Sequence, residues 1–382
     1  MPNLAKKLSP VVDADGHVLE SRVDWVERLG PDLADVAPRF LNGMHLFVEG
    51  QVLPRSRDLL GPTNNPRPRL SKSEKYWSFN RKGQHEPEAR IADMNEEGID
   101  IAFLFGSYIS QTAMGGIQNP VLATALARSF NDWIHDEYCS HDPQRLKAVG
   151  VLPMQDPSAA AQEIRRCVDK GITAVQTFPH ISRKPLHDPS FDVVWATAQE
   201  VGMPICVHIV NSYGSMADLF QTFGQKHVFI PVDMMAAVAS FSACGIFEKF
   251  PTLKVGLFEA GVGWLPWLGS RLDSHVEILA PDFGNPERKP SEWITSENLF
   301  FGVESEDEFI AQAAAEYGVE RLLYSSDYAH FDCECPETVT ELFENETLSS
   351  TDKTAIAGGN AMKFFGLESV PDFSKSSAAI GS

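Results

Sequence analysis

The stretch Val11-Val12-Asp13-Ala14-Asp15-Gly16-His17 is a short apolar run that ends in groups able to hold a cation. Side chains alternate along a strand, so Asp13, Asp15 and His17 are expected on one face. By itself, Asp-x-His reads just as well as a helix-capping aspartate followed by a surface histidine. The rest of the chain decides between these readings. Seven more runs follow: Ile99 to Phe105, Leu146 to Val151, Ala174 to Phe178, Pro204 to His208, Lys254 to Glu259, Asn298 to Val303, and Arg321 to Ser325. Stretches of helical period lie between them, about 118–140, 156–170, 190–202, 232–249, 262–279, 306–317 and 336–345, with a closing helix near 351–365. Asp156-Pro157 and Asp188-Pro189 are helix-start signals. Eight strands alternating with helices predict a (β/α)8 TIM barrel, and no Gly-x-Gly-x-x-Gly follows a strand to suggest a dinucleotide site.

One barrel is expected over residues 1–370, with a flexible Ser/Ala-rich tail at 371–382. A long insertion after the first strand, about 30–85, holds a candidate hairpin (His45 to Leu53) and is expected over the active-site face. It is locally basic (Arg55, Arg57, Arg67, Arg69, Lys72, Lys75, Arg81, Lys82), which suits either a solvated loop or a clamp for an anionic substrate.

The formal charge is −20 over 382 residues, which argues against nucleic acid and anionic membranes as partners. No run of about 18 apolar residues and no secretory leader is evident, and the six cysteines include no Cys-x-x-Cys. A reduced, cytoplasmic protein is expected.

In a barrel the C-terminal ends of the strands open onto the active site, so Asp15 and His17 are expected at the mouth. The fifth strand, Pro204-Ile-Cys-Val-His208, ends in an imidazole that needs a hydrogen bond or a metal once buried. The eighth run ends at Asp327.

With these residues in place, the chain resembles the amidohydrolase-related family, which contains metal-dependent decarboxylases and hydrolases of carboxylated aromatic compounds. The resemblance extends through Pro87 to Met94, Asn131-Asp132-Trp133, Leu152 to Pro157, Gly261 to Asp273 and Ser326 to Asp332. It implies one divalent cation held by Asp15, His17, His208 and Asp327, with Asp15 standing where many relatives have histidine. Zinc is expected narrowly ahead of manganese or magnesium. The fourth strand ends Val175-Gln176-Thr177-Phe178 without the lysine that bridges two metals, so a mononuclear centre is expected. Glu259 stands where the family's decarboxylases present a histidine, and is expected either to act as a general base or to orient a ligand histidine.

His330 and Asp332 are candidates to protonate a leaving group or contact substrate. His180, Arg183 and Lys184 are candidates to receive a carboxylate. Trp77, Phe79, Phe105 and Tyr108 are candidates to line a ring pocket. Trp264 and Trp267 are expected in core or subunit packing, and Cys333 and Cys335 as ordinary thiols. The leading expectation is hydrolysis of a small cyclic or aromatic carboxylate by metal-activated water, with Glu259 or Asp327 shuttling its proton. The alternatives are non-oxidative decarboxylation and a metal-binding barrel without turnover. A homodimer or higher homo-oligomer is expected from the family resemblance.

Overall fold

Eight runs of mostly branched and aromatic residues form the barrel strands: β1 Val12–Val18, β2 Ile101–Gly106, β3 Leu146–Val151, β4 Ala174–Thr177, β5 Ile205–His208, β6 Val255–Phe258, β7 Leu299–Val303 and β8 Leu322–Tyr324. The computed structural model describes residues 10–41, 45–53, 81–209, 228–328, 330 and 333–370. Each strand pairs in parallel with the next, from Val12 opposite Ile101 to Val303 opposite Tyr324. Helices lie between the strands, and the result is a nearly closed (β/α)8 barrel.

Among the described residues, β8 and β1 share no strand ladder. They meet beyond the end of β8, where the Asp327 N–H donates to the Asp15 carbonyl (3.0 Å) and the His17 N–H to the Tyr328 carbonyl.

Val12, Phe103, Phe105, Phe258 and Phe300 pack into one buried cluster inside the barrel. The closing helix, Asn360–Phe365, plugs its lower end. Phe365 stacks on Phe103 at 3.5 Å, and Phe364 lies 5.0 Å from Phe300. Each such ring contributes roughly 2–3 kcal/mol on leaving water.

The helix starts read from sequence form as expected. Asp156 accepts the N–H groups of Ser158 and Ala159 at the head of Pro157–Lys170, while Asp188 caps the turn leading into Asp192–Val201. Helix α1, Pro87–Glu97, which ends at Gly98 with φ 91°, lies outside the expected set. Its buried residues are Arg90, Met94 and Glu97, so its inward face is largely charged and hides its periodicity. The hairpin of the first insertion is present, with His45–Val48 pairing Gln51–Leu53, and Arg39–Leu41 adds a third strand.

Candidate metal centre

Strict alternation would keep Asp13 beside Asp15 and His17, but the structure separates them. The β1–β2 register shifts between Asp13 and Gly16, a bulge that re-aims the strand exit. Val12 and Ala14 face the interior, Asp13 meets Arg90 of α1, and Asp15 and His17 go to the mouth.

There Asp15 lies between two imidazoles, with Oδ1 3.3 Å from His17 Nε2 and Oδ2 3.4 Å from His208 Nε2. Asp327 Oδ1 approaches His17 Nε2 at 3.2 Å and His330 Nδ1 at 2.6 Å. Glu259 reaches His208 Nε2 with one oxygen (3.4 Å) and His330 Nδ1 with the other (3.8 Å). His330 stacks on His17 at 3.9 Å. Asp15, His17, His208 and Asp327 are all buried. Both Asp15 oxygens and both His17 nitrogens lack a well-directed hydrogen bond, an arrangement that costs several kcal/mol unless something compensates.

A cation would supply that compensation. Two overlapping groups, Asp15 with His17 and His208, and His17 with Glu259, Asp327 and His330, each bring their ligand atoms within 4.8 Å of one another. The residues present therefore fit a divalent metal. His208 Nδ1 lies 2.9 Å from Gln111 Nε2 and 3.3 Å from the Ile209 carbonyl, while its Nε2 faces Asp15 and Glu259. Burial raises the Asp15 pKa, but His208 and His17 outweigh it and hold the carboxyl below its usual range. Burial also lowers the pKa of His17, which favours the neutral imidazole that a metal binds.

Glu259 and Asp327 follow their strands in the left-handed region, with φ of 59° and 50°. Non-glycine residues rarely adopt this conformation, and both of these carry candidate ligands.

Glu20, two residues past β1, supports the opposite wall. It is fully buried and accepts the N–H groups of Tyr108 (2.9 Å) and Ile109 (3.1 Å). The turn it holds carries Gln111, whose carboxamide lies 2.9 Å from His208 Nδ1, and follows Ser107, 3.4 Å from His330 Nε2. Burial pushes the Glu20 pKa up from 4.5 to about 7, against the opposing backbone N–H bonds. The folded protein thus keeps a proton that the unfolded chain loses at lower pH. This contribution to stability is fully present below about 4.5 and is lost as pH rises to about 7. Glu20→Gln should therefore flatten the stability profile across that window by on the order of 3 kcal/mol, read from denaturant melts at several pH values. An unchanged slope would reject the assignment.

The other candidate site residues are distributed differently. His180 sits after β4 with Nε2 4.0 Å from Asp233, outside both ligand groups, and burial lowers its pKa. Arg183 (φ 66°) and Lys184 are exposed beside it, and Lys184 contacts Ser190. Tyr108 packs on Phe40 at 5.2 Å, and its hydroxyl pKa is pushed up to about 12 by burial. Phe105 lies 5.1 Å from His208 and forms floor rather than wall. Trp77, Phe79, Asp332 and the basic run from Arg55 to Lys75 lie outside the described residues. Arg81 pairs with Asp93 (2.8 Å) and Glu96 (2.9 Å), so it is engaged in the fold. Trp264 donates to Ala260, whereas Trp267 is 57% exposed, which takes it out of the core and leaves subunit packing as its expected role. None of the six cysteines forms a disulfide. Among the described residues no helix is long and apolar enough to cross a membrane.

Sequence reading did not single out Glu20, Arg90 or Gln111. The only signal for Arg90 was a charged residue within a segment resembling the family.

A family model described as amidohydrolase matches residues 12–367. A gamma-resorcylate decarboxylase from Polaromonas sp. is 27% identical over 302 residues, covering 73% of this chain and 87% of that protein. A 2-amino-3-carboxymuconate-6-semialdehyde decarboxylase from Dictyostelium discoideum is 28% identical over 296 residues, covering 74% and 77%. Among solved structures, a 5-carboxyvanillate decarboxylase from Novosphingobium aromaticivorans, with bound manganese and 3-methoxy-4-hydroxy-5-nitrobenzoic acid, superimposes with a TM-score of 0.73 at 21% identity, covering 95% of this chain and 99% of that one. With the match spanning the whole barrel, this chain belongs to the amidohydrolase family and is an enzyme of that superfamily.

Proposed function

We propose that the enzyme catalyses non-oxidative decarboxylation of a small oxygen-substituted aromatic acid. The carrying observation is a carboxylate-rich donor set, Asp15, Asp327 and Glu259 around His17 and His208, in a chain whose curated relatives named above are decarboxylases. This reverses the sequence-based ranking, which put hydrolysis first because Glu259 occupies a histidine's place.

Asp15, His17, His208 and Asp327 would hold the cation, with Glu259 beside them. When bound, the cation supplies positive charge that gathers the substrate's carboxylate and a neighbouring ring oxygen. Three carboxylates near two imidazoles favour a hard ion, so we place manganese ahead of zinc, in line with the metal in the carboxyvanillate enzyme.

His330 is the residue we assign to proton delivery. Asp327 Oδ1 at 2.6 Å stabilises its protonated form, and Glu259 at 3.8 Å adds a second negative charge. His330 gives its proton to the ring carbon that bears the carboxylate. The electrons of the breaking carbon–carboxylate bond return to the ring, and CO₂ leaves. His180 and Arg183 remain candidates to meet a second substituent, and Tyr108 and Trp77 to face the ring.

The test is to incubate the manganese-loaded enzyme with gamma-resorcylate, 5-carboxyvanillate and related hydroxybenzoates, and with their amides and esters. Loss of CO₂, with one deuterium placed on the ring carbon in D₂O, is the expected result. Gain of water by the amides or esters, with no CO₂ lost from any acid, would restore the hydrolase reading and reject this one.

A further inference from the structure

We infer that Asp13, clamped by Arg90 and Ser326, is a positioning residue that locks the exits of β1 and β8 together and so sets the spacing of Asp15, His17 and Asp327. The inference rests on the metal-centre reading above.

Asp13 and Arg90 are both fully buried, with Arg90 Nη2 3.5 Å from Asp13 Oδ2. The contacts around this pair fall on the segments that carry the ligands. Asp13 Oδ1 accepts the N–H of Asp15 (3.2 Å) and of Ser326 (2.9 Å), and Oδ2 accepts the Ser326 hydroxyl (2.7 Å). Arg90 Nη1 donates to the His17 carbonyl at 3.1 Å, and its guanidinium lies 3.7 Å from the centre of the Tyr328 ring. One carboxylate thus grips the residue before Asp327 and the backbone of Asp15, while the arginine grips His17 and stacks on the residue after Asp327.

Gly16 shows how closely the parts approach. A Cβ there would stand 2.4 Å from Arg90 Nη2 and 2.7 Å from Asp13 Oδ2, so the chain can turn between Asp15 and His17 only without a side chain. An apolar pair of similar volume would join α1 to the barrel at no greater desolvation cost. It could not accept three directed bonds from two separate strand exits. That capacity is needed at this seam, where β8 and β1 share no ladder among the described residues.

The test compares manganese affinity, by competition with a chelating indicator, in wild type, Ser326→Ala, and the double variant Asp13→Asn/Arg90→Met, which removes both charges and strands neither. Groups that orient metal ligands typically contribute 10–100-fold in affinity, so the double variant should bind manganese roughly tenfold or more weakly. Ser326→Ala, which loses the hydroxyl's bond to Asp13 and the one it accepts from the Tyr328 N–H, should bind about threefold or more weakly. Arg90→Lys should recover part of the loss relative to Arg90→Met. A purely structural pair predicts otherwise: lower melting temperatures with manganese affinity within twofold of wild type, which would overturn the proposal. Should the double variant fail to fold, Ser326→Ala decides by the same criterion. Wild-type protein that binds no manganese would overturn the metal-centre reading, and this inference with it, whereas a wild type that binds while both variants match it would overturn the inference alone.

Discussion

Asp15→Ala should leave a folded protein that retains less than about a tenth of its metal and turns over roughly 10³-fold more slowly, a barrier increase of about 4 kcal/mol. The expectation follows from where the carboxylate sits. Asp15 lies within 3.4 Å of both His17 and His208, so removing it takes away the group that joins the two imidazoles on the nitrogen side of the proposed site. Both of its oxygens are buried without a directed hydrogen bond, so a ligand role accounts for them better than a structural one. Alanine removes a buried charge and deletes no bond that the barrel needs, since the Asp15 backbone still donates to Asp13 and accepts from Asp327. Metal content by elemental analysis and turnover on the most active acid of the panel check it. Full metal occupancy with turnover within tenfold of wild type would remove Asp15 from the ligand set.

Gly358→Ala should destabilise the fold by about 3 kcal/mol or more, because overpacking against fixed backbone cannot relax cheaply. A Cβ at Gly358 would stand 2.2 Å from the Pro10 carbonyl oxygen and 3.1 Å from its carbon. Those atoms cannot give way easily. The next residue, Val11, donates to the Asp100 carboxylate at 2.8 Å and accepts from the Asp100 backbone at 2.9 Å, and Val12 is already in the β1–β2 ladder. Gly359→Ala is the control in the same helical turn. Its Cβ would meet only the Thr354 carbonyl oxygen at 3.8 Å, and its backbone is already helical, so the change should be neutral or slightly stabilising. Thermal melts of the two variants should differ by about 4 °C or more. Equal melting temperatures would show that the closing helix shifts freely against β1.

Much of the barrel was legible because its strands are short branched runs separated by well-signalled helices. Leu146–Val151 forms over the residues expected, and Asp156 caps the helix its sequence announces. Three of the ligand candidates, His17, His208 and Asp327, were legible for a related reason: each is a polar group at the end of an apolar strand. What escaped was polar burial away from strand ends. The face of α1 buries Arg90 and Glu97, so a search for apolar period passes over it. The bulge in β1 defeats a rule of alternation and sends Asp13 away from Asp15, though both are aspartates two residues apart. The reach of Glu259 toward His208 depends on a positive φ that no pattern of residue types announces.

The meeting of β8 with β1 bears on how the molecule is made. Asp13 and Ser326 are separated by 313 positions, so the contact that joins the two ends forms only after nearly all of the chain has left the ribosome. Closing so long a loop is slow and entropically costly, and no earlier stage can assemble Asp15, His17 and Asp327 around an ion. Chains that end before the eighth strand lack Asp327 and cannot complete the proposed four-residue ligand set, which leaves them only the Asp15, His17 and His208 group.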